Sequence, residues 1–437
     1  MSDAAHRAWL EAQLPVLVDA GLIDEAAAAG IRAHYGSPED LAAQRRNRLL
    51  AIFGSLGALL VGLGIILLVA FNWEQLSRPM RTLAALLPLV TGQGLVAYAR
   101  ARRADSTAWL EGTALATFLA LGAAMALISQ TYQVGGTVEG FMLVWALLGL
   151  PLAYVTGASL PALGYLACVM AWAGLRFGAP RLPAYSLLIV LVLPPLIARL
   201  RADRSSSRGA LMLWLLTAAL LEWMALLLDD LPQAWVLPAL AAGLALIYLA
   251  DGIVEPRGAV GLWHRPFQVL GGTGLAILGL LGSSFGFDLW RAAELDALGP
   301  AQGLTLVGLL LGAGLLLWRA DPERRQAKLG LGLLPASVLL GTALTGLGAA
   351  DGSDTGATLA SLLLNLHLLA AGVWQIALGT RRNSLALANG GLGLVLLLVF
   401  FRFFEADLGL IGRGLAFIGL GICFILANVF IARRMRP

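Results

Sequence analysis

The sequence predicts an all-α fold, a polytopic bundle of about 14 transmembrane helices preceded by a short cytoplasmic helical hairpin. Hydrophobic residues make up 59% of the chain and charged residues 13%, whereas soluble domains carry about 25% charged residues. The apolar residues form separate segments, most of them long enough to cross a bilayer. The arginines between these segments fall on alternate sides of the implied membrane.

Residues 1–48 form the one sizeable polar element, a helical hairpin followed by a basic juxtamembrane segment. Apolar residues from Trp9 to Val18 recur at helical spacing and predict a helix that stops at Gly21. Asp24 can cap a second helix that runs through Tyr35. Two interpretations stay open: the hairpin covers the cytoplasmic mouth of the bundle, or it docks a cytoplasmic partner.

Residues 49–437 form the transmembrane domain, whose loops are too short to hold a folded domain. Glycines inside the apolar segments, such as Gly308 and Gly312, predict seams where helices approach closely. The expected spans are 49–72, 79–99, 107–129, 137–155, 159–178, 182–199, 209–229, 233–250, 264–284, 302–319, 328–348, 356–378, 384–402 and 408–431.

The distribution of positive charge predicts the orientation of the chain. With these spans, 21 Lys and Arg residues fall on one side and six on the other. Cytoplasmic loops carry the excess, so both termini are expected in the cytoplasm. The N-terminus lacks the pattern of a cleavable signal peptide, and 29 arginines accompany a single lysine. This composition is typical of a bacterial inner-membrane protein from a genome of high GC content.

Sequence motifs give little support to catalysis. No segment matches a P-loop, a dinucleotide fingerprint, a nucleophile elbow or a zinc-binding helix. The four histidines have no neighbours at metal-ligand spacing, and the two cysteines lie in apolar segments. The net charge of +4 is explained by topology and does not indicate nucleic-acid binding. No metal or cofactor is implied, and enzymatic activity has no positive support.

Two ionisable residues lie inside apolar segments on the expected outer side. Glu222 is about 10 Å and Arg413 about 7 Å deep, at 1.5 Å per residue. A charge at such depth costs about 2.5 to 3.5 kcal/mol unless it is paired or hydrated. We therefore expect the two side chains to face the interior and to interact. His367 is a further polar residue, able to relay a proton or to bond a neighbouring helix.

Several motifs between about residues 8 and 155 resemble one bacterial family. They are Gly21 to Asp24, Ala70 to Trp73, Ser129 to Gln133, and Trp145 to Pro151. Together they resemble the predicted membrane proteins called domain of unknown function 2157. The family often has His where this chain has Gln133. The resemblance implies a bacterial inner-membrane protein and supplies no substrate.

Two functional hypotheses follow. The first is a transport- or envelope-related protein with an outer-facing polar pocket for a small-molecule or lipid substrate. The second is a scaffold or sensor that does not transport and whose hairpin docks a partner. A cavity that crosses more than half of the membrane would favour transport. The expected pocket residues are Asn72, Trp73, Gln130, Tyr132, Gln133, Glu222, His367 and Arg413.

The topology can be tested by thiol labelling. Native Cys168 and Cys423 are first removed, and single cysteines replace Ser206 or Gly352. In intact cells a membrane-impermeant thiol reagent should label position 352 and spare position 206. Labelling of position 206 without position 352 would reverse the assignment.

Overall fold

The computed structural model describes residues 3–35, 75–175, 181–202, 204–229, 231–255, 261–284, 290, 298–350 and 353–405, together with 418–419 and 422. These residues are almost entirely helical and contain no strand, which confirms the expected all-α class. The chain separates into two units, Met1–Leu83 and Ala84–Pro437.

The first unit contains the hairpin. It consists of α1 (Asp3–Asp19) and α2 (Glu25–Tyr35), close to the expected bounds. Gly21 turns the chain with a φ of +65°, a conformation that glycine adopts without strain. The carboxylate of Asp24 accepts a hydrogen bond of 2.7 Å from the Ala27 amide, as expected for the residue that caps the second helix. The cytoplasmic position of the hairpin stays a prediction.

The remaining helices follow one another with short connections. Their bounds are α3 Arg78–Arg102, α4 Thr107–Tyr132, α5 Val138–Thr156, α6 Ser159–Gly174, α7 Leu182–Ala202, α8 Ser207–Asp229, α9 Gln233–Val254, α10 Pro266–Gly282, α11 Pro300–Arg319, α12 Pro322–Gly332, α13 Leu334–Ala350, α14 Thr355–Arg381 and α15 Leu385–Glu405.

Twelve of the fourteen expected spans fall on these helices. Ten are long and apolar enough to cross a membrane, with α12 and α13 counted together as Pro322–Gly348. Two more, α6 and α10, are apolar and shorter. The first expected span, 49–72, lies outside the described residues, as does the last, 408–431, apart from residues 418, 419 and 422. Because helices satisfy their own backbone hydrogen bonds, they suit a lipid environment.

Helix α9 is the most enclosed of the candidate spans. In the apolar stretch of α9, 67% of the residues are buried, whereas in that of α5 the buried share is 17%. Ile247 joins a core formed with α4 to α8, whereas Tyr248 and Leu249 join a second core formed with α10 to α15. Alternate faces of α9 therefore hold the two halves of the bundle together.

Polar contacts link helix ends that the charge pattern assigns to one membrane side. Glu111 of α4 reaches the start of α6, and Arg204 donates to the Ile253 carbonyl at the end of α9. Arg382, after α14, bonds Gln326 of α12. We call this end of the bundle the arginine side. These contacts agree with the expected alternation of spans.

Glycines mark several close approaches between helices. A Cβ at Gly379 in α14 would overlap the backbone nitrogen of Ala388 in α15. In α11, by contrast, a Cβ at Gly308 would meet no atom within 4 Å, while one at Gly312 would lie 3.0 Å from Leu246. The expected seam of α11 is therefore restricted to Gly312, because Gly308 faces open space in the structure.

Matched alanine substitutions test this packing. Gly379→Ala should lower the melting temperature in detergent, because the backbones of α14 and α15 must separate to admit the methyl group. Gly308→Ala should leave it unchanged or raise it, since alanine favours a helix over glycine by about 1 kcal/mol. Equal effects of the two substitutions would show that backbone contact does not govern the stability of this helix pair.

Candidate functional site

The ring of Trp145 fixes α5 against α4. Its indole Nε1 donates a 2.9 Å hydrogen bond to the carbonyl of Phe118, and the two rings stack at 5.3 Å. A Cβ at Gly122 would collide with the indole, and one at Gly149 would collide with the Phe118 ring. The Trp145 to Pro151 motif thus has a packing role that requires small residues opposite each aromatic ring.

The Ser129 to Gln133 motif ends α4. Gln133 adopts a left-handed conformation with a φ of 49°, and its amide donates to the Ser129 carbonyl. The Ser129 hydroxyl donates to the carbonyl of Val134. Tyr132 and Gln133 are exposed beyond this turn, and Gln130 is exposed one turn earlier. Three of the expected pocket residues therefore lie together at this end of α4.

A cavity of about 960 Å³ opens beside this turn, between α3, α4 and α5. Leucine, methionine, valine and phenylalanine side chains form most of its walls, and Ser129, Gln130 and Thr137 lie at one end. The expected pocket was polar, whereas this cavity is apolar along most of its length. We call it the α3–α5 cavity. Its lining residues are Leu86, Leu89, Leu121, Ala124, Met125, Ala126, Ile128, Ser129, Gln130, Val134, Gly135, Gly136, Thr137, Val138, Gly140, Phe141 and Val144.

Glu222 lies elsewhere, at the junction of α6, α7 and α8. Its Oε2 accepts a 2.9 Å hydrogen bond from the hydroxyl of Tyr185, which is fully buried. Its Oε1 faces Gly174, where an added Cβ would lie 3.2 Å away. The carboxyl therefore has a hydroxyl donor within the described residues. Arg413 lies outside them, so the expected contact between the two charges stays a prediction.

His367 connects three helices near the middle of α14. Its Nε2 lies 2.9 Å from the carbonyl oxygen of Gly330 in α12, and its Nδ1 lies 2.8 Å from the hydroxyl of Ser337 in α13. A carbonyl can only accept, so Nε2 carries hydrogen and Nδ1 is free to accept from Ser337 in the neutral ring. Both nitrogens are thus used in interhelical bonds.

The expected pocket residues do not all meet in one place. Gln130 lines the α3–α5 cavity, Glu222 packs among α6 to α8, and His367 packs among α12 to α14. Asn72 and Trp73 lie outside the described residues. Their assignment to a substrate site stays a prediction.

The sequence did not reveal a carboxylate on the arginine side that binds the start of α6. Glu111, only 4% exposed, accepts hydrogen bonds from the amides of Ser159 and Leu160 and from the Ser159 hydroxyl, at 2.7 to 2.9 Å. The guanidinium groups of Arg199 and Arg208 lie 3.8 and 3.6 Å from its Oε1. A carboxylate at a helix N-terminus satisfies unpaired amides and favours the helix dipole.

A second unforeseen cluster surrounds the chain's single lysine. Lys328 of α12 lies 2.7 Å from the carboxylate of Asp251 in α9, and both residues are less than 9% exposed. Its ammonium also donates to the Tyr248 carbonyl at 2.7 Å and lies 3.8 Å from the centre of the Tyr248 ring. Arg324 approaches Asp251 at 3.9 Å. Polar contacts at the arginine side therefore connect two residues of α9, Tyr248 and Asp251, with two residues of α12, Arg324 and Lys328.

Glu255 extends this cluster to α10. It follows α9 directly, and its carboxylate accepts a 3.1 Å hydrogen bond from the amide of Gln268 in the first turn of α10. Burial raises the pKa of the Glu255 carboxyl above its usual range, while backbone hydrogen bonds from Gln268 and Phe267 oppose that rise. Glu255 therefore caps α10 much as Glu111 caps α6.

Sequence signals for these clusters existed but were weak. The expected helix ended at residue 250, whereas α9 continues to Val254 and brings Asp251 inside it. The charge pattern places Lys328 among the basic residues of a loop, although it is the single lysine beside 29 arginines. Among the described residues, no three His, Cys, Asp or Glu side chains lie close enough to hold a metal ion.

Residues 15–162 match the family model of the predicted membrane proteins called domain of unknown function 2157. The expected resemblance is confirmed. The matched segment includes the Trp145 contact, the turn at Gln133 and every residue that lines the α3–α5 cavity. No curated protein and no solved structure matches the chain.

Charge removal tests the lysine cluster. Removal of one partner from a buried ion pair typically costs about 3 to 5 kcal/mol, whereas an apolar replacement of both can be neutral. Lys328→Met should therefore lower the melting temperature in detergent, and the Asp251→Leu, Lys328→Met double variant should recover part of the loss. The single variant Asp251→Leu completes the cycle. If the double variant loses as much stability as Lys328→Met and Asp251→Leu lose together, the two side chains are not energetically coupled.

Proposed function

We propose that the protein is a bacterial inner-membrane protein with cytoplasmic termini that binds a lipid-like amphiphile in the α3–α5 cavity. Its transport- or envelope-related role would act on that ligand. The observation that supports the proposal is the cavity itself, about 960 Å³ in volume and built entirely from the segment that matches the family. Binding pockets for small molecules commonly measure about 300 to 1,000 Å³.

The chemistry of the cavity changes along its length in the way an amphiphile does. Leu86, Leu121 and Phe141 form an apolar wall suited to a hydrocarbon chain. Gln130 and Thr137 lie where α4 ends and α5 begins, at the level expected for the membrane interface. These polar groups can bind a headgroup while its chain lies against the leucines.

The length of the cavity favours binding within one leaflet. Leu121 precedes the last residue of α4 by eleven positions, a rise of about 17 Å. The hydrocarbon core of a bilayer is about 30 Å thick, so the cavity extends about halfway across it. A ligand with its headgroup at Gln130 and its chain near Leu121 would match the length of one leaflet.

The scaffold hypothesis has support from a different observation. Glu222, His367, Glu111 and Lys328 all have protein partners, as expected if polar side chains serve to fix helices. This paired arrangement favours a rigid bundle. It leaves the α3–α5 cavity without an explanation, which is why we favour ligand binding.

Tryptophan substitution tests the cavity. Val144 lines it and is 45% exposed, so Val144→Trp should fill the space and reduce the number of lipids that remain bound after detergent washing, counted by native mass spectrometry. Val190→Trp is the matched control, because Val190 is an exposed valine of α7 and does not line the cavity.

A separate substitution tests the polar end of the α3–α5 cavity. Gln130→Leu should alter which headgroup classes remain bound, while the number of bound lipids changes little. Equal lipid retention by Val144→Trp, Val190→Trp and the wild type would exclude the cavity as a binding site and leave the scaffold hypothesis.

A further inference from the structure

A second cavity lies on the arginine side, between the ends of α9 and α11 and the start of α12. Its volume is about 210 Å³. Because a water molecule occupies about 30 Å³, this space can hold a tetrahedral oxyanion with several waters. Five charged side chains line it: Asp251, Arg319, Asp321, Arg324 and Lys328.

Positive charge exceeds negative charge in this cavity. Lys328 and Asp251 form a direct ion pair at 2.7 Å, so their charges largely cancel. Arg324 reaches Asp251 only at 3.9 Å, beyond hydrogen-bond distance. Asp321 is exposed at the start of α12. Arg319 is exposed as well. The three cationic and two anionic side chains that line the cavity therefore carry a net charge of +1.

The donors of these guanidinium groups are largely uncommitted. Across the part of the chain that the structure describes, the side chain of Arg319 makes no hydrogen bond or ion pair. Arg324 packs over Gly252, where an added Cβ would lie 2.5 Å from its Nη1. Each guanidinium has five N–H donors in a planar fork that matches phosphate geometry. The N-terminus of α12 adds a partial positive charge beside them.

We propose that this cavity binds an anionic phosphate group through Arg319 and Arg324. The group can belong to a phospholipid headgroup or to a soluble phosphate. The adjoining surface favours a lipid, since Ile253 and Leu315 line the same cavity with exposed apolar side chains along which an acyl chain can lie. This site lies on the other side of the bundle from the α3–α5 cavity and does not depend on its ligand.

Native mass spectrometry of the full-length protein in detergent tests the lipid source. The probes are phosphatidylglycerol, which carries a net negative charge, and phosphatidylcholine, which does not. The wild type should bind phosphatidylglycerol about tenfold more tightly, because both lipids carry an anionic phosphate but the two arginines repel the quaternary ammonium group of phosphatidylcholine. The Arg319→Gln, Arg324→Gln double variant should lose most of that preference.

A matched variant controls for surface charge. Arg102→Gln, Arg103→Gln removes two exposed arginines from the same side and should keep the preference. Equal losses in the two double variants would overturn the proposal, as would an unchanged preference in the Arg319, Arg324 variant. If the glutamine variant does not fold, the Arg319→Lys, Arg324→Lys variant replaces it. It keeps both positive charges but lacks the planar guanidinium donors, so it should bind phosphatidylglycerol more weakly than the wild type does.

Inorganic phosphate tests whether the natural ligand is a soluble phosphate instead of a lipid headgroup. It should raise the melting temperature of the wild type relative to chloride at equal ionic strength if the natural ligand is a soluble phosphate, and the glutamine variant should lose that shift. A lipid preference without a phosphate shift assigns the site to a headgroup. The absence of both effects in the wild type refutes an anion site.

Discussion

The burial of α9 on both faces is the constraint on which the rest of the bundle depends. In the apolar stretch of α9, 67% of the residues are buried. Polar groups near the ends of such a helix need hydrogen-bond or ion-pair partners within the protein. Asp251 meets this requirement through Lys328, and Glu255 meets it through the amides of α10. The ion pair fixes α12 against α9, and the cap fixes α10. Because α9 contributes to both apolar cores, these polar contacts also set how the two halves of the bundle pack.

The two sides of the bundle use polar residues in the same way. Glu111 caps α6 on the arginine side. On the other side, Asn365 and Ser361 donate to the carbonyls of Ser283 and Ser284 at the end of α10. Helix ends leave amides and carbonyls without intrahelical partners, and lipid offers no substitute for water. Side chains from distant helices therefore satisfy these groups and fix the order of the helix ends.

The sequence predicted the helices well because each span is a local property of composition and charge. It could not predict which polar residues meet, since Glu222 and Tyr185 are 37 positions apart and come together only through packing. Asp251 was missed because α9 extends beyond the expected end at residue 250. The sequence predicts a seam at Gly308 as well as at Gly312, because it does not show which glycine a neighbouring helix covers, and in the structure only Gly312 is approached closely. Gln130 was found through a family motif, although the apolar walls beside it were not.

The two cavities differ in a way that argues against a single continuous pathway through the described residues. One is largely apolar with a polar end, beside the turn of α4, and the other is cationic and lies among α9, α11 and α12. Phe118, Tyr165 and Leu213 belong to a core of buried side chains in the α4 to α8 half of the bundle. Within the described residues, the two cavities are lined by different helices and differ in chemistry, so the ligand proposed for each can be tested independently of the other.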